Sequence, residues 1–495
     1  MRISNDRVTP IPMQASPTPY KNKNPGLPTI PKHFTNPSIM KNPLYLHLLS
    51  LSAAILSAKQ PNIVIMLADD LGSGDLSCYG SPENQTPNLD KLASQGIQFS
   101  DFYAACAVCS PSRAALQTGR FSVRAGIYSW VAPSQKMHLR VEETTIAELL
   151  KSGGYSTAHI GKWHLGYNLE EGTGGPNPGD HGYDYWIATG NNAVPSHHNP
   201  TNFVRNGKAL GEVEGYSCQI LADETIGWLD NHTDKNPGKP FFINICFHEP
   251  HQRVASPPEL AARHPNVKQP EYYGAVENMD NAAGRILKKL DEIRATDNTL
   301  VFFTSDNGSY RTDRSNNRNL KGRKTQLWEG GIREPGIIRW PGKIKPGSQS
   351  DVPAGLVDIL PTACAAAGVP LPHGVILDGT SLLPLFANGT LCRTKPLYWF
   401  YNPSRPVCVI RDGDYCLLAD PEIDLPKQNM FLEKFIGDIK ATALTNFRLH
   451  NLRADATQDT DLSVKEPETF SRMKKQMLEL HRNVMDEAFD WRTLY

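Results

Sequence analysis

The chain is 495 residues long, enough for one large α/β domain with a smaller partner, or for several compact domains. Lys+Arg and Asp+Glu number 51 each, and this zero formal charge argues against a surface given over to nucleic acid or anionic membrane. A charged fraction of 21% and a hydrophobic fraction of 39% exclude a mainly disordered chain, while Gly 38 and Pro 39 without a period indicate loops rather than collagen-like repeats.

Residues 1–39 are rich in Pro, Asn, Thr and Lys and read as disordered, or as sequence upstream of the true start. Met40 and Lys41 precede the apolar run Leu44–Ala58, which ends in small residues. A basic residue, a short apolar core and a small-residue exit are the parts of a secretory signal, here 40–58. The run is short for a membrane span, which needs about 20 residues, and no later segment is predicted to span. The mature chain is expected to begin near Lys59, in the periplasm or outside the cell, where disulfides are permitted.

Apolar runs then alternate with helical patterns. Strands are expected at Ile63–Leu67, Ser156–Ile160, Phe241–Phe247, Leu300–Ser305 and Ile337–Trp340. Helices are expected at Thr86–Ser94, Thr144–Ser152, Ile220–Asn231, Glu271–Arg294 and Leu356–Ala367. This alternation predicts an α/β fold with a large, mostly parallel sheet flanked by helices, over 59–390. Beyond Pro384–Pro396 the texture changes to short strands, Leu397–Phe400, Val407–Arg411 and Tyr415–Leu418, with Asp412-Gly413 as a hairpin turn. With a last helix at Glu466–Glu487 they predict a smaller α+β domain over 391–495.

Parallel sheets bind ligands beyond the carboxyl ends of their strands, so the residues just after each strand carry the most information. Asp69-Asp70 follows the first strand and Asp306-Asn307-Gly308 follows Leu300–Ser305. Adjacent carboxylates repel unless a cation lies between them, and this set of hard oxygens suits Ca²⁺ or Mg²⁺ rather than zinc. Cys109-Ser110-Pro111-Ser112-Arg113 runs on to Thr118-Gly119-Arg120. Pro111 suits a first helical turn, which puts Cys109 at a helix N-terminus, where free N–H groups favour an anion.

Cys-x-Pro-Ser-Arg followed by Thr-Gly-Arg resembles the signature of the type I sulfatases, formylglycine-dependent members of the alkaline phosphatase superfamily, over nearly all of 60–490. The resemblance is to bacterial enzymes like arylsulfatase A and N-acetylgalactosamine-6-sulfatase. It implies that a formylglycine-generating enzyme converts Cys109 to Cα-formylglycine (3-oxoalanine). One hydroxyl of the aldehyde hydrate then attacks sulfur and displaces the alcohol. The other loses its proton, and collapse to the aldehyde expels sulfate. Asp69, Asp70, Asp306 and Asn307 would hold one Ca²⁺, and Arg113 would hold the hydrate and the carboxylates. Gly161-Lys162-Trp163-His164-Leu165-Gly166 matches a family string throughout. It implies that Lys162 binds sulfate and that His164 takes the hydrate proton. In Phe247-His248-Glu249-Pro250, His248 matches a His-x-Pro histidine that contacts sulfate and the leaving oxygen, with His251 as a neighbouring rival. Lys324, in Gly322-Arg323-Lys324 before Glu329-Gly330-Gly331, would bind sulfate and protonate the leaving alcohol. Substrate loops of such enzymes fall near His181-Gly182-Tyr183-Asp184 and Asn191–Pro200, which makes His197 and His198 candidate substrate contacts.

The expected substrate is a sulfated carbohydrate, with aryl sulfates also accepted. Two rivals differ in chemistry. A phosphomonoesterase or phosphodiesterase of the same superfamily uses Ser or Thr and two metal ions, and a sulfated-glycan binding protein keeps the fold without turnover. Nine cysteines leave one over if the rest pair. Conversion of Cys109 would remove that one. Cys246 is expected as a buried free thiol, and Cys408 and Cys416 flank a turn across which they could meet.

Overall fold

A computed structural model describes residues 59–494 except 134, 174, 312–314, 388 and 429. The readings for 1–39 and 40–58 lie outside the described residues. The first strand, β1 (Asn62–Asp69), is buried along its whole length. Its side chains alternate between two apolar clusters: Ile63, Ile65 and Leu67 enter one, and Val64, Met66 and Ala68 the other. A strand that is apolar on both faces must lie in a sheet covered on both sides.

The further strands of the large sheet are β2 (Ile97–Tyr103), β3 (Ser156–Lys162), β4 (Tyr185–Thr189), β5 (Val204–Arg205), β6 (Lys208–Ala209), β7 (Phe241–Pro250), β8 (Thr299–Ser305), β9 (Arg333–Arg339), β10 (Ser348–Ser350) and β11 (Ala354–Gly355). Their order is β10-β2-β9-β8-β1-β7-β3-β4-β5-β6, with β11 beside β2. The centre, β8-β1-β7-β3-β4, is parallel throughout. Strand β9 runs antiparallel to both its neighbours and starts four residues before the expected Ile337. Its early residues are polar but buried, so the apolar pattern understated it.

Helices Pro87–Ser94, Ser217–Lys235 and Pro270–Glu292 cover one face with Leu89, Leu221 and Met279. Helices Cys109–Thr118, Ile146–Ser152 and Ile359–Ala367 cover the other with Leu116, Leu150 and Leu360. Each fully buried Leu, Ile, Val or Phe contributes about 1.5–3 kcal/mol. The Ile146–Ser152 helix starts where expected, because Thr145 Oγ1 accepts from the Glu148 N–H in a capping box.

A second, antiparallel sheet follows, β12 (Leu397–Phe400), β13 (Cys408–Asp412), β14 (Tyr415–Pro421) and β15 (Leu444–Asn451), with the helix Pro467–Glu487 against it. Trp399, Val409, Leu417 and Leu449 belong to the same apolar cluster as Ile63 and Leu116. Across the hairpin Cys408 faces Ala419 and Cys416 faces Arg411, so the two cysteines do not meet. None of the nine cysteines is joined in a disulfide.

Candidate active site

The carboxyl ends of β1, β3, β7 and β8 converge, as parallel strands in one sheet must. Past β1, Asp70 takes a left-handed backbone (φ 62°), as does His164 past β3 (φ 54°). Non-glycine residues held there cost of order 1–3 kcal/mol each, and such strain gathers at functional sites. Gly161, in β3, has φ 113°, and a Cβ there would lie 2.0 Å from the Cys246 carbonyl oxygen, so only glycine lets β3 approach β7 so closely.

Cys109 begins the helix Cys109–Thr118, every residue of which is buried. Ser112 Oγ donates to the Cys106 carbonyl at 2.9 Å, Ser110 Oγ accepts from Val131 N at 2.9 Å, and Gly119 ends the helix at φ 65°. Arg113, one turn on, donates to Asp306 Oδ2 from Nε (3.0 Å) and Nη2 (2.7 Å), and to the Lys162 carbonyl from Nη1 (2.9 Å). Two charged donors on one carboxylate oxygen make a strong pair and fix its orientation.

Around Cys109 the charges interleave. Lys162 Nζ donates to Asp69 Oδ2 at 2.6 Å, and Lys324 Nζ donates to Asp70 Oδ1 at 2.6 Å. Cys109 Sγ lies 3.5 Å from Lys324 Nζ and 3.8 Å from Asp69 Oδ1. Burial pushes the Cys109 thiol up to about 12, against the pull of Lys162 and Lys324. At neutral pH it is a protonated thiol and a weak nucleophile. Burial opposes ionisation of Asp69, but Lys162, His251, Arg113 and Lys324 together hold it well below the usual carboxylate range. Burial and the charge of Asp69 raise Asp306 to about 6, against the pull of Arg113.

A cation fits here. One ligand atom each from Asp69, Asp70, Cys109 and His251 lies within 4.8 Å of the others. Asp70 Oδ2 and Asn307 Oδ1 are buried acceptors without a hydrogen-bond partner. Unpaired buried acceptors cost about 1–3 kcal/mol each, a penalty that a hard cation would remove. Asn307 is tied in by its Nδ2, which donates to Asp70 Oδ1 at 2.7 Å. Asp306 stands at the edge of this group, its Oδ2 engaged by Arg113 and its Oδ1 accepting from Asp70 N at 3.3 Å.

The histidines divide differently from expectation. His164 Nε2 donates to the Val131 carbonyl at 3.0 Å, leaving Nδ1 buried and unpartnered. Burial with Lys162 and Arg113 nearby keeps it neutral. Thr189 Oγ1 gives its proton to the Asn191 carbonyl at 2.5 Å, so His248 Nε2 donates to Thr189 at 2.8 Å. Burial, with His197 and Lys162 nearby, holds His248 well below its usual range, so it is a neutral donor, and that donor is spent on Thr189. It is His251 that reaches the carboxylates, with Nε2 3.5 Å from Asp70 Oδ2 while Nδ1 donates to the Gln252 carbonyl at 2.5 Å. Burial, against the pull of Asp70, lowers His251 to about 4. The signal lay in the length of β7. Its pairing with β1 continues through Asp69 opposite Pro250, so the residue just past the strand is His251.

The two substrate candidates are placed differently, and His197 feels the charges of Asp69 and Lys162. His197 is fully buried, with Nδ1 3.8 Å from Glu249 Oε1. His198 is exposed and stacks on Tyr216 with ring centroids 4.7 Å apart. Asn192, not singled out by sequence, accepts from Lys162 Nζ at 2.9 Å.

Buried lysines beside a nucleophile position, with carboxylates grouped for a cation at the carboxyl end of a parallel sheet, define a hydrolase for esters of a tetrahedral oxyanion. Comparison with known proteins narrows the class. The sulfatase family profile matches residues 61–369. Human arylsulfatase A is 37% identical over 397 residues, 74% of this chain and 76% of that protein. N-acetylgalactosamine-6-sulfatase of Canis lupus familiaris is 34% identical, covering 71% and 72%. Among solved structures, Ps i-CgsB in complex with k-i-k-neocarrahexaose superposes with a TM-score of 0.75 at 27% identity, covering 87% of this chain and 94% of that one. The chain belongs to the sulfatase family, whose members are sulfuric ester hydrolases. Among the described residues, no helix is long and apolar enough to cross a membrane.

Proposed function

We propose that the protein hydrolyses sulfate monoesters of carbohydrates, using formylglycine made from Cys109 and one Ca²⁺ held by Asp69, Asp70, Asp306 and Asn307. The observation that carries this reading is the burial of Cys109 at a helix start between a lysine and a carboxylate. A thiol raised to about 12 is no use as a thiolate there, whereas an aldehyde hydrate would supply an oxygen nucleophile. The ion would supply Lewis-acid stabilisation of charge building on the sulfate oxygens.

The chain's own residues take the remaining roles. Lys162 and Lys324 hold sulfate oxygens by charge-assisted hydrogen bonds. Lys324, nearest the sulfur atom of Cys109, gives its proton to the leaving alcohol. His164 is neutral and has a free Nδ1, so it can take the proton that returns the hydrate to the aldehyde. Arg113 locks Asp306 and, through its hydrogen bond to the Lys162 carbonyl, the end of β3. We assign to His251, protonated when the anion is bound, the sulfate contact that a His-x-Pro reading gave to His248, and to His248 the bracing of Thr189. The catalytic part is 59–390, with the segment 391–495 closing its second face. Conversion of Cys109 calls for a formylglycine-generating enzyme, and export follows from the reading of 40–58.

A carbohydrate substrate is supported by the relatives, which include N-acetylgalactosamine-6-sulfatase, and by the structure of Ps i-CgsB in complex with k-i-k-neocarrahexaose. Steryl-sulfatase is also a relative, at 33% identity, so family membership alone does not choose the alcohol. The test is metal analysis with paired substrates. One calcium per chain and sulfate release from 4-nitrophenyl sulfate are expected. Two zinc ions, with turnover of 4-nitrophenyl phosphate alone, would replace this reading with the phosphoesterase one.

A further inference from the structure

A cavity of about 500 Å³ opens beside the cluster of carboxylates and lysines. Two of its wall residues are tied to the site itself. Asn192 accepts from Lys162 Nζ at 2.9 Å, and Gln252 directly follows His251. If sulfate lies among Lys162, Lys324 and Cys109, the alcohol it is attached to extends into this space. The cavity therefore receives the leaving group.

Its lining suits a sugar. Asn191, Asn192 and Gln252 present amides, which both donate and accept and so match hydroxyls. Asn202 braces the wall, donating to the Asn192 carbonyl at 2.8 Å and accepting from Val194 N at 3.0 Å. Tyr167 is 40% exposed, and its ring offers a flat apolar face to the C–H side of a pyranose.

One lining residue asks for more than hydroxyls. Arg253 is anchored by its backbone, whose carbonyl accepts from His197 N at 3.3 Å, and by Nη1, which donates to the Pro195 carbonyl at 3.2 Å. Among the described residues it has no carboxylate partner, whereas the buried arginines of the site and of the sheet junction are all paired. Most of its five donors are free, in the planar fork that matches carboxylate or sulfate. The lining holds one carboxylate, Glu170, which is exposed and not hydrogen-bonded to Arg253. The net charge of the cavity is near zero, so selectivity must come from position and not from bulk field.

We propose that Arg253 binds a second anionic group of the substrate, a carboxylate or a further sulfate, on the sugar that carries the scissile ester or on its neighbour, with Tyr167 as the stacking face. This rests on the sulfatase reading and names the specificity of that site. The experiment uses the converted full-length protein with 4-nitrophenyl sulfate as reporter and matched inhibitors in pairs. One pair is the chondroitin 6-sulfate disaccharide and its carboxyl-reduced form. The other is N-acetylgalactosamine 4,6-disulfate and the 6-sulfate. In the wild type, the more anionic member of at least one pair should inhibit about tenfold more tightly, the scale of one charged hydrogen bond. In Arg253→Gln the ratio within that pair should fall toward one. In Tyr167→Ala both members should weaken together and the ratio persist. The pair that responds tells carboxylate from sulfate. A wild type without preference in either pair, or a preference that survives Arg253→Gln, would overturn the proposal. Absence of any sulfate release from the reporter would instead overturn the sulfatase reading, and the proposal with it.

Discussion

Two buried ionic clusters lie in this molecule, and they are satisfied to different degrees. At the junction of the two sheets Asp101 binds Arg333 through one oxygen, and Arg411 and Arg453, each at 2.7 Å, through the other. Glu329 joins them, accepting from Tyr103 at 2.9 Å and from Arg333 at 3.4 Å. No side-chain atom of Asp101, Glu329, Arg333 or Arg411 is left buried and unpartnered. At the carboxyl ends of β1, β3, β7 and β8 the count of charges is similar, yet Asp70 Oδ2, Asn307 Oδ1, His164 Nδ1 and His248 Nδ1 all lack partners. The first cluster is closed and holds the two sheets together. The second keeps valence open for a ligand, at a cost that the folded scaffold must carry.

Removing one group from each cluster should therefore break different properties. The largest effect expected is that of Cys109→Ala, which should lower kcat by about 10⁵-fold or more, as loss of a covalent nucleophile does. Its thermal midpoint should stay near that of the wild type, checked by calorimetry. Asp101→Ala should do the reverse. Three guanidinium groups lose their shared anion, and breaking a buried pair costs about 3–5 kcal/mol. Thermal unfolding should shift down strongly, while kcat per folded molecule, measured below the midpoint, is retained. If Asp101→Ala lost activity without losing stability, the contrast between the clusters would be false.

Lys324→Ala comes next. Loss of one electrostatic stabiliser should cost about 10²-fold or more in kcat. Because Lys324 also neutralises Asp70 at 2.6 Å, calcium should raise the thermal midpoint of the variant more than that of the wild type. Differential scanning fluorimetry with and without the ion reads this.

The smallest effect concerns pH and lies outside both clusters. Burial lowers His159 to about 3, and His181 and His481 to about 4. The unfolded chain binds these protons near pH 6.5 and the folded one does not, so stability rises with pH between about 4 and 6.5. The share of the midpoint that these histidines carry should be level above pH 7 and fall below 6.5. His481→Gln, which keeps a polar partner for the Tyr398 hydroxyl, should flatten that fall. An unaltered slope would show that His481 does not carry it.

The fold was legible where burial is continuous. Ile63–Leu67, Phe241–Phe247 and Leu300–Ser305 are apolar on both faces, and they form the parallel centre. Strands β2 and β15 were missed because polar residues such as Gln98, Ser100 and Asp101, or Asn446 and Arg448, interrupt the apolar pattern while backbone pairing continues. The same effect favoured His248 over its rival His251. Buried but polar His248 and Glu249 ended the apolar run three residues before β7 ends at Pro250. Motif strings located Cys109, Arg113, Lys162, His164 and Lys324, and the structure gathers the first three and Lys324 within hydrogen-bonded reach of Asp69, Asp70 or Asp306. His197 and His198 carried no such constraint. A polar loop does not encode which side chains turn inward, and these two turned toward Glu249 and Tyr216.

If the open cluster is built around an altered Cys109, the state of that residue must track turnover. Protein samples converted to different extents would be digested, and the peptide spanning Cys109 weighed by mass spectrometry alongside turnover of 4-nitrophenyl sulfate. An aldehyde in place of the thiol is expected, with activity proportional to the converted fraction and an intercept at zero. Full activity in protein whose Cys109 is wholly an unmodified thiol would contradict it.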